Sequence, residues 1–294
     1  MSPNEFPTPG LPEGEYLELP QRGTTFVRDN ANSGAPAILL LHGWTVNAAL
    51  NFYGLFDHLS DDFRVVALDH RGHGRGLRSE EKFRLTDCAD DAAALLDELQ
   101  IDSAIVLGYS MGGAIAQLLW ERHRTKVNSL VLCSTASRFG QIRNEQVMGG
   151  IISVASAVTR RTPLSLRTRL TERVLVSKYD DTPLGHFARE QARQNDLHAL
   201  IEAGHEVTTF DFRQKATQID VPAAAVVTTR DETVPMHRQL QMANAIPQCE
   251  IFRIDARHDA CVTRPERFND AVSRALYSVT QRSAQQPNDP ARLP

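Results

Sequence analysis

The sequence predicts an α/β fold: a mostly parallel sheet with helices on both faces and an inserted helical segment. Three observations carry this expectation: short apolar runs without alternation, helix-periodic stretches between them, and one long interval in which the runs stop. Runs rich in Ile, Leu and Val that do not alternate belong to strands covered on both sides.

Residues 1–21 read as an N-terminal extension, the first ~12 of them polar, Pro-rich and disordered. The first strand run is Ala37 to Leu41, and helical periodicity follows from Ala48 to Leu59. Val65 to Leu68 is the next strand, and the helix after it spans Thr86 to Leu99, with Thr86 as N-cap and Asp87 in its first turn. Ala104 to Leu107 is a strand, Met111 to His123 a helix with apolar residues at 111, 115, 118 and 119, and Leu130 to Cys133 a strand.

From Arg138 to Lys215 only helical periodicity remains, clearest at Val147, Met148, Ile151, Ile152, Ala155 and Val158, so 138–214 is expected to be a helical cap. The alternation then returns, with a strand at Ala223 to Val227, a helix at Met236 to Ala245 and a strand at Glu250 to Ile254. A last helix is expected to open on the capping box Thr263-Arg264-Pro265-Glu266 and to bury Phe268, Val272, Ala275, Leu276 and Val279. Residues 22–137 and 215–282 thus form the core, and 283–294 form a polar, disordered tail.

Composition excludes several classes of function. The 294 residues are 41% apolar and 23% charged, an ordinary globular mixture. With 32 basic and 36 acidic side chains the net charge is -4, which points to neither nucleic acid nor an anionic membrane as partner. No apolar run approaches the about 18 residues of a membrane span, so none is expected. The start MSPNEFPTPGLPEGEY has no basic segment followed by an apolar one, and a cytoplasmic location is expected. Cys88, Cys133, Cys249 and Cys261 are scattered, which reads as reduced, mostly buried thiols with no metal site.

The chemistry concentrates in Gly108-Tyr109-Ser110-Met111-Gly112-Gly113, a G-x-S-x-G that follows a strand and opens a helix. Without that context the motif would be a turn that happens to contain serine. A serine hydroxyl needs a base, and the base needs an orienting acid, in the chain order Ser, acid, His. Asp231 lies in the loop after the strand PAAAVVTT and His258 in the loop after EIFRID, both at carboxyl ends of strands.

Glu232, Asp255 and Asp259 are near rivals of Asp231, and the loop Ser134-Thr135-Ala136-Ser137 offers no acid. His186, His198, His205 and His237 fall in helices or the insertion and read as structural or substrate-lining. A tetrahedral intermediate also needs two oxyanion donors, assigned to the N–H groups of Met111 and of Trp44 in His42-Gly43-Trp44. Trp44, Tyr109 and Ile152 are the expected substrate contacts.

LLLHGW at 39–44, DHRGHGRG at 69–76, GYSMGG at 108–113, RDETVP at 230–235 and RHDACVTRPERF at 257–268 together resemble the α/β-hydrolase superfamily over residues 22–282. The resemblance implies an eight-stranded, mostly parallel sheet with the cap between strands six and seven. It also implies that Asp69, His70, Arg71 and His73 brace the site. In two places the sequence departs from the family: the acid commonly sits in G-x-x-D and the base commonly follows Gly, whereas Thr228 and Arg257 stand here.

The expected activity is that of a cofactor-free serine hydrolase acting on a small-molecule ester or lactone. Ser110 argues against relatives with an Asp nucleophile. Carbon–carbon bond hydrolases and haloperoxidase-like relatives use the same three residues, and a ligand-binding module on this fold is the alternative from another class. Five arginines between Arg160 and Arg173 read either as a solvated face or as an attractor of anionic substrates.

Overall fold

A computed structural model describes residues 11–140 and 179–285 and, between them, residues 158, 159, 162, 166, 169–171 and 173. The strands are β1 (Gly14–Leu19), β2 (Gly23–Asp29), β3 (Ala37–Leu41), β4 (Arg64–Leu68), β5 (Ala104–Tyr109), β6 (Val127–Cys133), β7 (Ala223–Thr228) and β8 (Glu250–Ile254). They form one eight-stranded sheet in the order β1-β2-β4-β3-β5-β6-β7-β8. β2 pairs antiparallel with β1 and β4, and every pairing from β4 to β8 is parallel.

Burial explains which strands are plain in the sequence. β5 and β7 are buried at every position, whereas the edge strands β1 and β8 each bury one residue. β1 lies within residues 1–21, the stretch expected to be an extension, and Gly14–Leu19 belongs to the sheet. Its sequence GEYLEL is half polar because an edge strand keeps contact with water, so no continuous apolar run marks it.

The helices are α1 (Ala48–Leu59), α2 (Leu85–Glu98), α3 (Met111–Arg122), α4 (Pro183–Arg193), α5 (Leu197–Thr209), α6 (Arg213–Ala216), α7 (Met236–Ala245), α8 (Ala260–Thr263) and α9 (Pro265–Gln285). Alternate residues of each central strand feed two cores. Leu39, Val106 and Leu132 pack with α2 and α3, while Ile38, Leu40, Leu107 and Val131 pack with α1 and α9. A helix on each face follows from right-handed crossovers between parallel strands.

Two expected caps form differently. α2 starts one residue before Thr86, with Arg84 as N-cap and no side-chain bond of its own. The donors there are met from α5, where Glu202 accepts from Phe83 N at 2.8 Å and Glu206 from Leu85 N at 3.4 Å. The hydroxyl of Thr263 turns back to Asp259 O at 3.0 Å, so α9 begins on Pro265 without the expected box. Pro265 suits a first helical position because its missing N–H has no intrahelical partner there. α9 also runs to Gln285, past the expected start of the tail.

Between β6 and β7 the described residues include helices α4, α5 and the short α6. The insertion leaves and rejoins the core at one point, where Arg138 and Asp211 form an isolated antiparallel bridge and Phe212 N donates to Ser137 O at 2.7 Å. Ile152, together with its apolar stripe up to residue 157, lies outside the described residues. Among the described residues no helix is long and apolar enough to cross a membrane. All four cysteines are free, three of them buried.

The chain leaves β3 toward β4 on one side and leaves β5 toward β6 on the other, while β3 and β5 are neighbours. Such a switch point opens a crevice at the carboxyl ends of the two strands. The loops His42-Gly43-Trp44 and Tyr109-Ser110-Met111 both emerge there.

Candidate active site

Ser110 is the residue between β5 and α3, and its backbone stands at φ 55 and ψ -117, strained for a side chain with a Cβ. Bonds from both sides hold the strain: Ser110 N donates to Cys133 O at 2.9 Å, and Ser110 O accepts from Thr135 Oγ1 at 2.7 Å and from Gly113 N at 2.9 Å. The glycines are there for space. A Cβ at Gly112 would stand 1.9 Å from Leu41 O, and one at Gly108 would stand 2.3 Å from Gly112 O.

The hydroxyl meets its expected partner. Ser110 Oγ lies 2.9 Å from His258 Nε2, and His258 Nδ1 lies 2.7 Å from Asp231 Oδ2. A carboxylate only accepts, so Nδ1 carries the proton and Nε2 presents a lone pair to the serine. Tyr109 fixes the base from behind, its phenol donating to His258 O.

Burial would raise the carboxyl of Asp231, but the bond to His258, the Val234 N–H and the Thr228 hydroxyl outweigh it and hold the group below the usual carboxylate range. Asp231 Oδ2 accepts from Thr228 Oγ1 at 2.7 Å and from Gln239 Nε2 at 3.1 Å, and Oδ1 from Thr233 N at 2.9 Å and Val234 N at 2.8 Å. Thr228, where the family commonly has glycine, therefore supplies a donor to the acid. Of the rival acids, Asp255 pairs with Arg230 on the surface, and Asp259 receives the Thr263 hydroxyl.

The two expected substrate contacts within the described residues, Trp44 and Tyr109, differ in exposure. Tyr109 is buried between His258 and Phe268, with ring centroids 5.8 and 5.5 Å away, because its phenol is drawn to the His258 carbonyl. It supports the base from within the core. The indole of Trp44 is part exposed and reaches up to the insertion, where Nε1 donates to Leu200 O at 2.8 Å. Gly204 admits the ring: a Cβ there would lie 2.7 Å from Trp44 Cζ2. The Met111 N–H is the first of α3, and the first N–H groups of a helix have no intrahelical partner.

The family model for the alpha/beta hydrolase fold matches residues 36–265. The chain belongs to the α/β-hydrolase family. The AB hydrolase superfamily protein YisY of Bacillus subtilis is 26% identical over 270 residues, covering 89% of this chain and 98% of that protein. The 3-oxoadipate enol-lactonase 2 of Acinetobacter baylyi is 23% identical over 220 residues, covering 74% and 80%. A hydrolase structure from Pseudomonas aeruginosa superposes with a TM-score of 0.76 at 20% identity, covering 90% of this chain and 98% of that one. This chain is an enzyme, a hydrolase of that fold.

In this α/β-hydrolase the DHRGHGRG loop is a brace, as the resemblance implies. Asp69 accepts from Ala48 N at 3.0 Å and from Arg75 N at 2.9 Å, and Arg71 grips Asp91 with two bonds of 2.8 Å. The insertion is tied to the same region by bonds that no motif announces. Asn47 Nδ2 donates to Gln191 Oε1 at 2.9 Å, and Asn195 accepts from Gly74 N at 2.8 Å while donating to Thr45 O at 3.1 Å. Among the described residues no group of His, Cys, Asp and Glu is arranged to hold a metal ion.

Beneath the loop after β3 lie three buried imidazoles, His42, His70 and His73, with ring centroids 4.3 Å apart for His42 and His70 and 5.5 Å for His42 and His73. Burial pushes His42 down to about 4 and His73 to about 3, and it holds His70 well below the usual imidazole value. An unfolded chain binds protons at all of these near pH 6.5, whereas the folded protein does not until pH is much lower. Stability is therefore expected to fall as pH drops from about 6.5 toward about 4. Urea unfolding across that range checks this, and His73→Asn, which keeps an N–H for Arg71 O, is expected to flatten the slope by about one proton. An unchanged slope contradicts it.

Proposed function

We propose that the protein is a cofactor-free serine hydrolase that cleaves a small carboxylic ester or lactone through an acyl-enzyme. The observation that carries this reading is the unbroken chain from Ser110 Oγ through His258 to Asp231, with spacings of 2.9 and 2.7 Å. These lie within the reach a nucleophile, its base and an orienting acid require.

As Ser110 Oγ attacks the carbonyl carbon, its proton passes to His258 Nε2, and the carbonyl oxygen becomes an oxyanion facing the N–H groups of Met111 and Trp44. Collapse expels the alkoxide, which takes the proton from His258. Water then repeats the sequence on the acyl-serine, with His258 as base, and releases the acid. Asp231 steadies the imidazolium at each stage. The three side chains complete the proton bookkeeping by themselves, and the enol-lactonase relative is named for a substrate with the same reacting carbonyl.

Esters and lactones of different size test the reading, with p-nitrophenyl acetate as the most reactive probe. Turnover is expected in the unmodified protein and a fall of about 10⁴-fold or more in Ser110→Ala. An unmodified, folded protein inert to every activated ester and lactone overturns the proposal in favour of a binding module on this fold.

A further inference from the structure

Gly43 has both of its backbone polar groups held by side chains that take no part in the reaction above. Its N–H donates to Asn51 Oδ1 at 2.7 Å, and its carbonyl lies 2.8 Å from His42 Nδ1. The proton on His42 is fixed by a neighbour: His70 N–H can only donate and lies 2.9 Å from His42 Nε2, so Nε2 accepts and Nδ1 carries the hydrogen. The same reasoning orients the amide of Asn51. Its oxygen faces Gly43 N, and its Nδ2 donates to Cys261 Sγ at 3.0 Å.

The peptide joining Gly43 to Trp44 is planar and trans, so its C=O and N–H point in opposite directions. Holding the Gly43 carbonyl on His42 therefore turns the Trp44 N–H away from the buried histidines. Asn51 holds the preceding peptide in the same way. Ser110 is close by, since a Cβ on Gly43 would stand 3.5 Å from Ser110 Cβ.

Asn51 sits in the interior of α1 and is buried, a place where an amide has low helix propensity and a large desolvation cost. Both ends of that amide are nevertheless bonded, one to the loop after β3 and one to the segment that follows His258. We propose that Asn51 and His42 are positioning residues for the oxyanion hole, clamping Gly43 from both sides so that the Trp44 N–H is presented to the oxyanion formed at Ser110.

Asn51, through Cys261, also keeps that donor in register with the base. Oxyanion donors act only when preorganised to within about 0.5 Å and 10–20°. A freed Gly43 would leave the ground state bound and the transition state unsupported. The inference rests on the serine-hydrolase reading.

The test uses the full chain, p-nitrophenyl acetate, and a trifluoromethyl ketone, whose serine adduct places an oxyanion in the hole. Asn51→Leu and His42→Phe are each expected to lower kcat by about a hundredfold, the low end of the loss of one donor, with KM changed less than about threefold. The ketone should weaken in step with kcat/KM. Asn51→Asp keeps an acceptor for Gly43 N–H and is expected to restore most of kcat.

If unmodified protein neither turns over ester nor binds ketone, the serine-hydrolase reading fails. If it does both and folded Asn51→Leu matches it, or loses only in KM, the positioning role fails alone. Should Asn51→Leu not fold, the Cys261 pair decides. Cys261→Val is expected to lower kcat several-fold and Cys261→Ser to restore it, and equal kcat in the two overturns the proposal.

Discussion

Asp231→Asn is expected to cut turnover by about 10³ to 10⁴-fold while leaving the protein folded. The amide would turn its NH₂ toward His258 Nδ1, which reverses the tautomer and points an Nε2 hydrogen at Ser110 Oγ, 2.9 Å away. A base already protonated on the reacting side cannot take the serine proton. The fold should survive because Thr233 N and Val234 N still find the oxygen they share, now at 2.9 and 2.8 Å. Asp259→Asn and Asp255→Asn serve as controls and should each cost far less, since neither residue touches the imidazole. Steady-state kcat in the three variants decides, and a mild Asp231→Asn beside a crippling Asp259→Asn would reverse the assignment of the acid.

Gly112→Ala is expected to be the most damaging added methyl among the described glycines. The added carbon would meet Leu41 O at 1.9 Å, Leu41 C at 2.5 Å and His42 O at 2.8 Å. These are backbone atoms of a central strand and of the loop carrying the oxyanion donor, so no rotamer change relieves them. A strained core position of this kind costs more than about 4 kcal/mol, which in a domain of this size lowers Tm by about 10 °C or more or prevents folding. Gly34→Ala is the control, because a Cβ at Gly34 meets nothing within 4 Å. Thermal denaturation of the two variants checks the contrast, and equal Tm values contradict it.

What the sequence made legible follows apolar patterning, which burial strengthens but does not alone decide. The runs at Ala37–Leu41 and Glu250–Ile254 and the helices at Ala48–Leu59 and Met236–Ala245 coincide with β3, β8, α1 and α7; β3 is almost wholly buried and α1 buries nine of its residues, while β8 keeps Ile251, Phe252 and Ile254 despite its place at the edge. β1 was hidden by its exposure, and the start of α2 by caps donated from α5, more than a hundred residues away. Ser110, His258 and Asp231 could be located because each follows a strand, and the sheet delivers strand ends to one edge.

Their supporting residues carry no such mark. Thr228 and Gln239 look like an ordinary strand end and an ordinary helix residue until folding turns both toward Asp231. Asn51 reads as one polar residue in a helix, and its partner Cys261 is 210 positions along the chain. Trp44 and Tyr109 read as substrate contacts because they flank the motifs. The bonds that hold these side chains, from Trp44 to Leu200 and from Tyr109 to the His258 carbonyl, reach partners about 150 positions away and carry no mark in the sequence.

The central claim is that Ser110 is a nucleophile activated by His258. Intact-mass measurement after treatment with a fluorophosphonate tests it most directly, because phosphonylation needs the nucleophile and base but no particular substrate. One adduct is expected on the unmodified protein, none on Ser110→Ala, and much slower labelling of His258→Ala. An adduct that persists in Ser110→Ala, or an unmodified protein that takes up no label, would contradict the account.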